Sequence, residues 1–113
     1  MEIEFFVKSD SQDEPYTVKY IEQNGKIFVK CNCKAGRFGN FCKHKMRLIQ
    51  GHDDILQDED QARDLAKVER RIQKSEYLKL IIERSKARKK AEEAEKELKT
   101  VNKKIGAAMK KGL

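Results

Sequence analysis

The chain has 113 residues, 40% of them charged and 38% hydrophobic, with no tryptophan and a net charge of +7. That balance excludes one large core spanning the chain, and no apolar run approaches the roughly 20 residues needed to cross a bilayer. The opening MEIEFFVK carries two acids and little apolar content, which excludes a secretory signal and leads us to expect an intracellular, cytoplasmic or nucleoid- or nucleus-associated protein with no membrane partner. The charge is uneven. Residues 1–60 hold nine Lys/Arg against eleven Asp/Glu, a net of −2, whereas residues 61–113 hold seventeen against eight, a net of +9.

In chain order, EIEFFV (2–7) reads as a strand because Ile3, Phe5 and Val7 alternate. YTVKYI and KIFVKCNC then flank Asn24-Gly25. Both residues tolerate positive φ, so they suit the two-residue turn of a β-hairpin. A turn there pairs Tyr20 with Val29, Val18 with Cys31 and Tyr16 with Cys33. It puts Tyr16, Val18, Tyr20, Ile27, Val29, Cys31 and Cys33 on one face. NFCKHKMRLIQG predicts a short helix, with Asn40 as its N-cap and Gly51 as its stop. DDILQDED reads as an acidic connector over 53–60. From Gln61 onwards helix formers dominate, with no proline and no glycine before Gly106, which predicts one long helix or two broken near Ser75.

All three cysteines and one of two histidines fall within 14 residues. Three clustered thiols cannot make a paired disulfide framework, and in a reducing compartment they favour metal ligation. Cys31-x-Cys33 lies in an extended segment, where residues two apart point the same way. Cys42-x-His44 works only at a helix start, because inside a helix such residues diverge by about 200°. Gly36 and Gly39 let the intervening chain turn back. Three thiolates and one imidazole make a closed tetrahedral set, the usual donor set of structural zinc.

Other readings fit these residues less well. The cysteines as small buried residues leave the four-ligand spacing unexplained. A catalytic thiol needs an activating base, and a closed site leaves no free thiolate. If His44 swung away, an open zinc would result, yet no Asp or Glu lies between residues 23 and 52 to serve as a local base. His52 follows the helix stop and is read as a surface residue. Phe28, Phe38 and Phe41 are read as packing around the site in preference to stacking on bases. Residues 1–52 are too few for an adequate core unaided, and zinc contributes about 10–16 kcal/mol in comparable peptides.

The pattern C-x-C, eight residues, C-x-H resembles the SWIM-type zinc finger, and the hairpin before it and short helix after it are similar to that family's β-β-α arrangement. The resemblance covers about residues 15–50. It implies zinc binding, with DNA-binding or protein-interaction roles, and it says nothing of residues 61–113.

Function is narrowed further by charge and periodicity. The interval from Glu22 to Asp53 contains seven Lys/Arg and no carboxylate, which suits an anionic partner such as nucleic acid. Arg37, Lys43, Lys45 and Arg47 are the candidate phosphate contacts. In the tail, Tyr77, Leu80, Arg84, Ala87, Ala91, Ala94, Leu98, Val101, Ile105 and Ala108 keep 3-4 spacing, a candidate coiled-coil seam for a homodimer or partner over 77–108. Leu65, Val68 and Ile72 form a separate stripe able to pack back against that seam. Together these features predict an α+β chain: a zinc-binding module over 1–52, a connector over 53–60 and a basic helical extension over 61–113. The expected function is non-enzymatic and nucleic-acid-associated, with a protein-interaction adaptor as the alternative.

Overall fold

In a computed structural model, residues 1–9 and 12–113 are described. The chain divides into two compact units, Met1–Ser75 and Glu76–Leu113. The first is α+β. Strands β1 (Glu2–Val7), β2 (Tyr16–Gln23) and β3 (Lys26–Cys31) form an antiparallel sheet in the order β1-β2-β3. Two short helices follow, α1 (Lys34–Arg37) and α2 (Lys43–Ile49), then 3-10 turns at Asp53–Ile55 and Glu59–Gln61, then α3 (Ala62–Gln73). The second unit is one helix, α4 (Tyr77–Lys111). The helical tail is therefore two helices, interrupted at residues 74–76.

The hairpin has the expected register: Val18 faces Cys31 and Tyr20 faces Val29. Asn24 and Gly25 sit at φ 54° and 73°, the left-handed pair that matches a tight turn to the twist of its strands. Alternation then sends Phe5, Val7, Val18, Tyr20 and Cys31 into the core. The ladder stops at Cys31, before the expected Tyr16–Cys33 pair. There the Asn32 side chain takes over, its Oδ1 accepting from the Thr17 N–H at 2.9 Å, while the Asn32 N–H donates to the Thr17 carbonyl.

Three expectations need correction. The connector over 53–60 is part of the fold. Ile55 and Leu56 are buried, and Leu56 bridges Val7. The Lys8 N–H donates to Ile55 O and the Gln57 N–H to Phe6 O, both at 2.8 Å. The Gln61 side chain completes the cover, accepting from the Phe6 N–H and donating to Glu4 O. These bonds satisfy the free edge of β1, which would otherwise be open to pairing with another chain.

The second correction concerns α3. Its stripe of Leu65, Val68 and Ile72 is fully buried within the first unit, where α3 packs on α2. A polar chain links it to the sheet: the Tyr20 hydroxyl donates to Glu22 Oε1 at 2.5 Å, and Arg71 Nε meets the same oxygen at 2.7 Å. Residues 62–73 thus belong with the first unit, and the basic extension begins at α4. The stripe is consumed there, while Leu98, Val101 and Ile105 of α4 are 60%, 48% and 48% exposed.

The third concerns the cap of α2. Helix α2 begins at Lys43 and its N-cap is Cys42, in extended conformation. Cys42 Sγ accepts the Lys45 N–H at 3.4 Å, and Cys42 O accepts the first intrahelical bond from Met46. Asn40 lies two residues too early, and its N–H instead closes the turn after α1 on Ala35 O. The stop at Gly51 is as expected. Gly51 has φ 76°, and the Gly51 and His52 N–H groups donate to Leu48 O and Arg47 O, a paired helix-terminating arrangement.

Candidate metal centre

Cys31 arrives on the last residue of β3, on the buried face that the hairpin register dictates. Cys33 and Cys42 each stand immediately before a short helix and cap it through sulfur: the Gly36 N–H donates to Cys33 Sγ at 3.2 Å, as the Lys45 N–H does to Cys42 Sγ. The Cys33 N–H lies 3.5 Å from Cys31 Sγ. Each sulfur thus has a backbone N–H aimed at it, the usual means of supporting negative charge on a ligating thiolate. His44 follows in the first turn of α2, with its ring 4.7 Å from that of Tyr16.

These four side chains converge. Their ligand atoms all lie within 4.8 Å of one another, the three cysteines buried and His44 half-buried. The imidazole turns Nδ1 inward, 3.8 Å from Cys31 Sγ and 3.7 Å from Cys42 Sγ. A tetrahedron with bonds of about 2.3 Å to sulfur and about 2.0 Å to nitrogen has sulfur–nitrogen edges of about 3.5 Å. The observed separations are close to that, and the donor set suits a soft, tetrahedral ion. Were Nδ1 to ligate an ion, the proton of the neutral ring would sit on Nε2. Four protein ligands leave no open position, so an ion held here supplies structure and no activated water.

The thiols differ in their protonation. Burial pushes the Cys31 thiol up to about 12, with the neighbouring sulfurs adding to the rise against a lowering bond from the Cys33 N–H. Burial also acts to raise Cys33, but the Gly36 N–H and the thiols of Cys31 and Cys42 donating to it outweigh that and hold it below the ordinary value. In the absence of an ion, Cys33 is therefore the readier of this pair to enter as a thiolate, with Cys31 following only when a metal displaces its proton to solvent.

Gly36 is what lets the loop close over the site. A Cβ there would overlap the carbonyl and Cβ of Cys31, so α1 lies directly on the ligand strand. The sequence marked Gly36 as a turn residue. Its close approach to Cys31 became visible only once α1 was seen as a helical turn packed on β3.

The basic residues lie around this centre. Arg37, Lys43 and Arg47 are exposed and Lys45 is half-buried. Arg37 Nε donates to Asn32 O at 3.0 Å, and Lys45 Nζ donates to Asn40 O at 3.3 Å, so both side chains also brace the loop. The interval without carboxylates in the sequence is not wholly without them in space. Glu69 of α3 comes up against Gly51, at the end of α2 that carries Arg47. The aromatic expectation is not met: Phe38 is 75% and Phe41 66% exposed, and Phe28 is exposed too, so none of the three is buried at the site. His52 is exposed, as expected, and lies outside the ligand cluster. Among the described residues, no helix is long and apolar enough to cross a membrane. Comparison of the chain with protein-family models, curated proteins and solved structures yields no match.

Proposed function

We propose that residues 1–75 are a zinc-stapled, SWIM-like module without enzymatic activity, which holds nucleic acid by its phosphates. The observation that supports this most is the placing of basic side chains on the elements that carry the ligands. Arg37 is on the helix capped by Cys33, and Lys43, Lys45 and Arg47 are on the helix capped by Cys42. One ion would order both elements and so preorganise the cationic surface, lowering the entropic cost of binding. The bound set of one Zn²⁺, three thiolates and a neutral imidazole carries −1, a small offset to seven nearby Lys/Arg. Arg37 and Lys43, both exposed, are the principal contacts. Arg47 contributes less, and Lys45 serves mainly to hold the loop.

The test is binding as a function of salt. Changing Arg37, Lys43 and Arg47 together to Gln should weaken binding to all base sequences alike and flatten the logarithmic salt slope by about two to three units, near one per lost phosphate contact. Zinc content should be unchanged. Should the wild-type protein show no salt-sensitive binding to DNA or RNA at low ionic strength, the reading fails. A protein-interaction adaptor then takes its place, supported by the exposed Leu98, Val101 and Ile105 of α4, whose apolar association would respond little to salt.

A further inference from the structure

We propose that Phe38 and Phe41 are stacking platforms for the unpaired bases of single-stranded nucleic acid. This rests on the phosphate-binding reading above and adds to it the strand state of the ligand. Large apolar side chains exposed in one short loop call for an explanation, because burying either ring would be favourable. The loop is tied at its ends by ligands Cys33 and Cys42, and between them by Gly36 lying on Cys31, by Arg37 Nε on Asn32 O, and by the Asn40 N–H on Ala35 O. These backbone, side-chain and sulfur contacts order it, and both rings stay largely exposed on it.

The surroundings select the occupant. Arg37 directly precedes Phe38, and Lys43 follows Phe41 by two residues, so each ring has an exposed cation within two residues of it in the chain. The interval from residue 23 to 52 supplies no carboxylate. A cationic surface with flat aromatic faces between its charges matches a strand that alternates anionic phosphates with flat bases. A duplex offers the phosphates but buries its base faces in the stack, so the rings gain nothing from it. A purely apolar protein partner would leave the flanking cations desolvated and unpaired. The bases of DNA and RNA have the same faces, so stacking here does not select between them or among base sequences.

Fluorescence anisotropy of the full chain, loaded with zinc, separates the terms. The probes are a fluorescein-labelled mixed-sequence 12-nucleotide single strand, as DNA and as RNA, and the matching duplex. F38A/F41A should weaken single-strand binding by about tenfold or more, as expected for loss of base–aromatic stacking. It should leave duplex binding within about twofold and the salt slope unchanged, since no charge is removed. F38W places a single Trp in a chain that has none, and its emission should be quenched by the single strands and not by the duplex. Equal single-strand affinity for F38A/F41A and wild type, or equal losses on single strand and duplex, overturns the proposal while leaving the phosphate reading intact, as does unquenched F38W. Absence of any wild-type binding removes both. Should F38A/F41A lose zinc, the F38W signal and an F38Y/F41Y variant, expected to bind as wild type, decide the matter.

Discussion

Replacing Gly36 with Ala tests whether the metal centre depends on close approach of α1 to β3. The new Cβ would meet Cys31 Cβ at 2.8 Å and its carbonyl carbon at 2.9 Å, with the carbonyl oxygen closer still. These are backbone and Cβ atoms with no flexible end to swing aside, so α1 must lift off the strand. Overpacking of this kind costs about 1–3 kcal/mol. Lifting α1 also withdraws the Gly36 N–H from Cys33 Sγ, and a hydrogen bond to a charged group is worth about 1.5–3 kcal/mol. Together the loss in zinc affinity should be about 2.5–6 kcal/mol, roughly sixtyfold to twenty-thousandfold. Gly39→Ala is the control in the same loop. Its φ of 71° makes alanine strained, at about 1–2 kcal/mol, but a Cβ there has nothing within 4 Å and touches no ligand. Competition titration against a chromophoric chelator, with cobalt charge-transfer absorption to report thiolate ligation, measures both variants. If Gly36→Ala binds zinc within about twofold of wild type, or Gly39→Ala is the more damaging, the close-approach argument is refuted.

Four further outcomes are expected. Metal analysis should find about one zinc per chain, the capacity of one four-ligand set, and a folded Cys33→Ser/Cys42→Ser variant that retained full structure without metal would contradict a structural role. Acid should weaken metal binding. The Cys31 thiol sits up at about 12 without metal, so ligation must expel its proton at neutral pH, and affinity should fall by at least about tenfold per pH unit as pH is lowered through neutrality. Calorimetry in buffers of differing ionisation enthalpy counts the protons released. Ile72→Ala should destabilise the zinc-loaded first unit by about 2–5 kcal/mol in urea unfolding, because Ile72 is fully buried; a change below about 0.5 kcal/mol would show α3 to be dispensable. Val101→Asp/Ile105→Asp should dissociate any homodimer seen by sedimentation while leaving zinc content unaltered, and an unchanged sedimentation profile would mean the α4 seam is not used.

What the sequence alone determined lies in short-range geometry. Asn24-Gly25 set the turn, and period-two alternation then set which face Val18, Tyr20 and Cys31 share. The donor types at Cys31, Cys33, Cys42 and His44 admitted one clustering, because i and i+2 converge on a strand or at a helix start and diverge within a helix. The stop at Gly51 was legible for the same reason, as a single residue's need for positive φ. What only the tertiary structure decided depends on surfaces meeting. The acidic letters of 53–60 hide Ile55 and Leu56, whose burial exists only because β1 has an edge to cover. Leu65, Val68 and Ile72 advertise a buried stripe, but a helix's periodicity does not name its partner, and that partner is α2. Cys42 displaced Asn40 as the cap because the helix starts where a sulfur held in the cluster can accept the Lys45 N–H. Phe38 and Phe41 were unreadable for a related reason. Hydrophobicity favours burial of a ring on average, but a loop pinned at Cys33, Gly36 and Cys42 has no slack to turn its rings inward, and they remain in solvent.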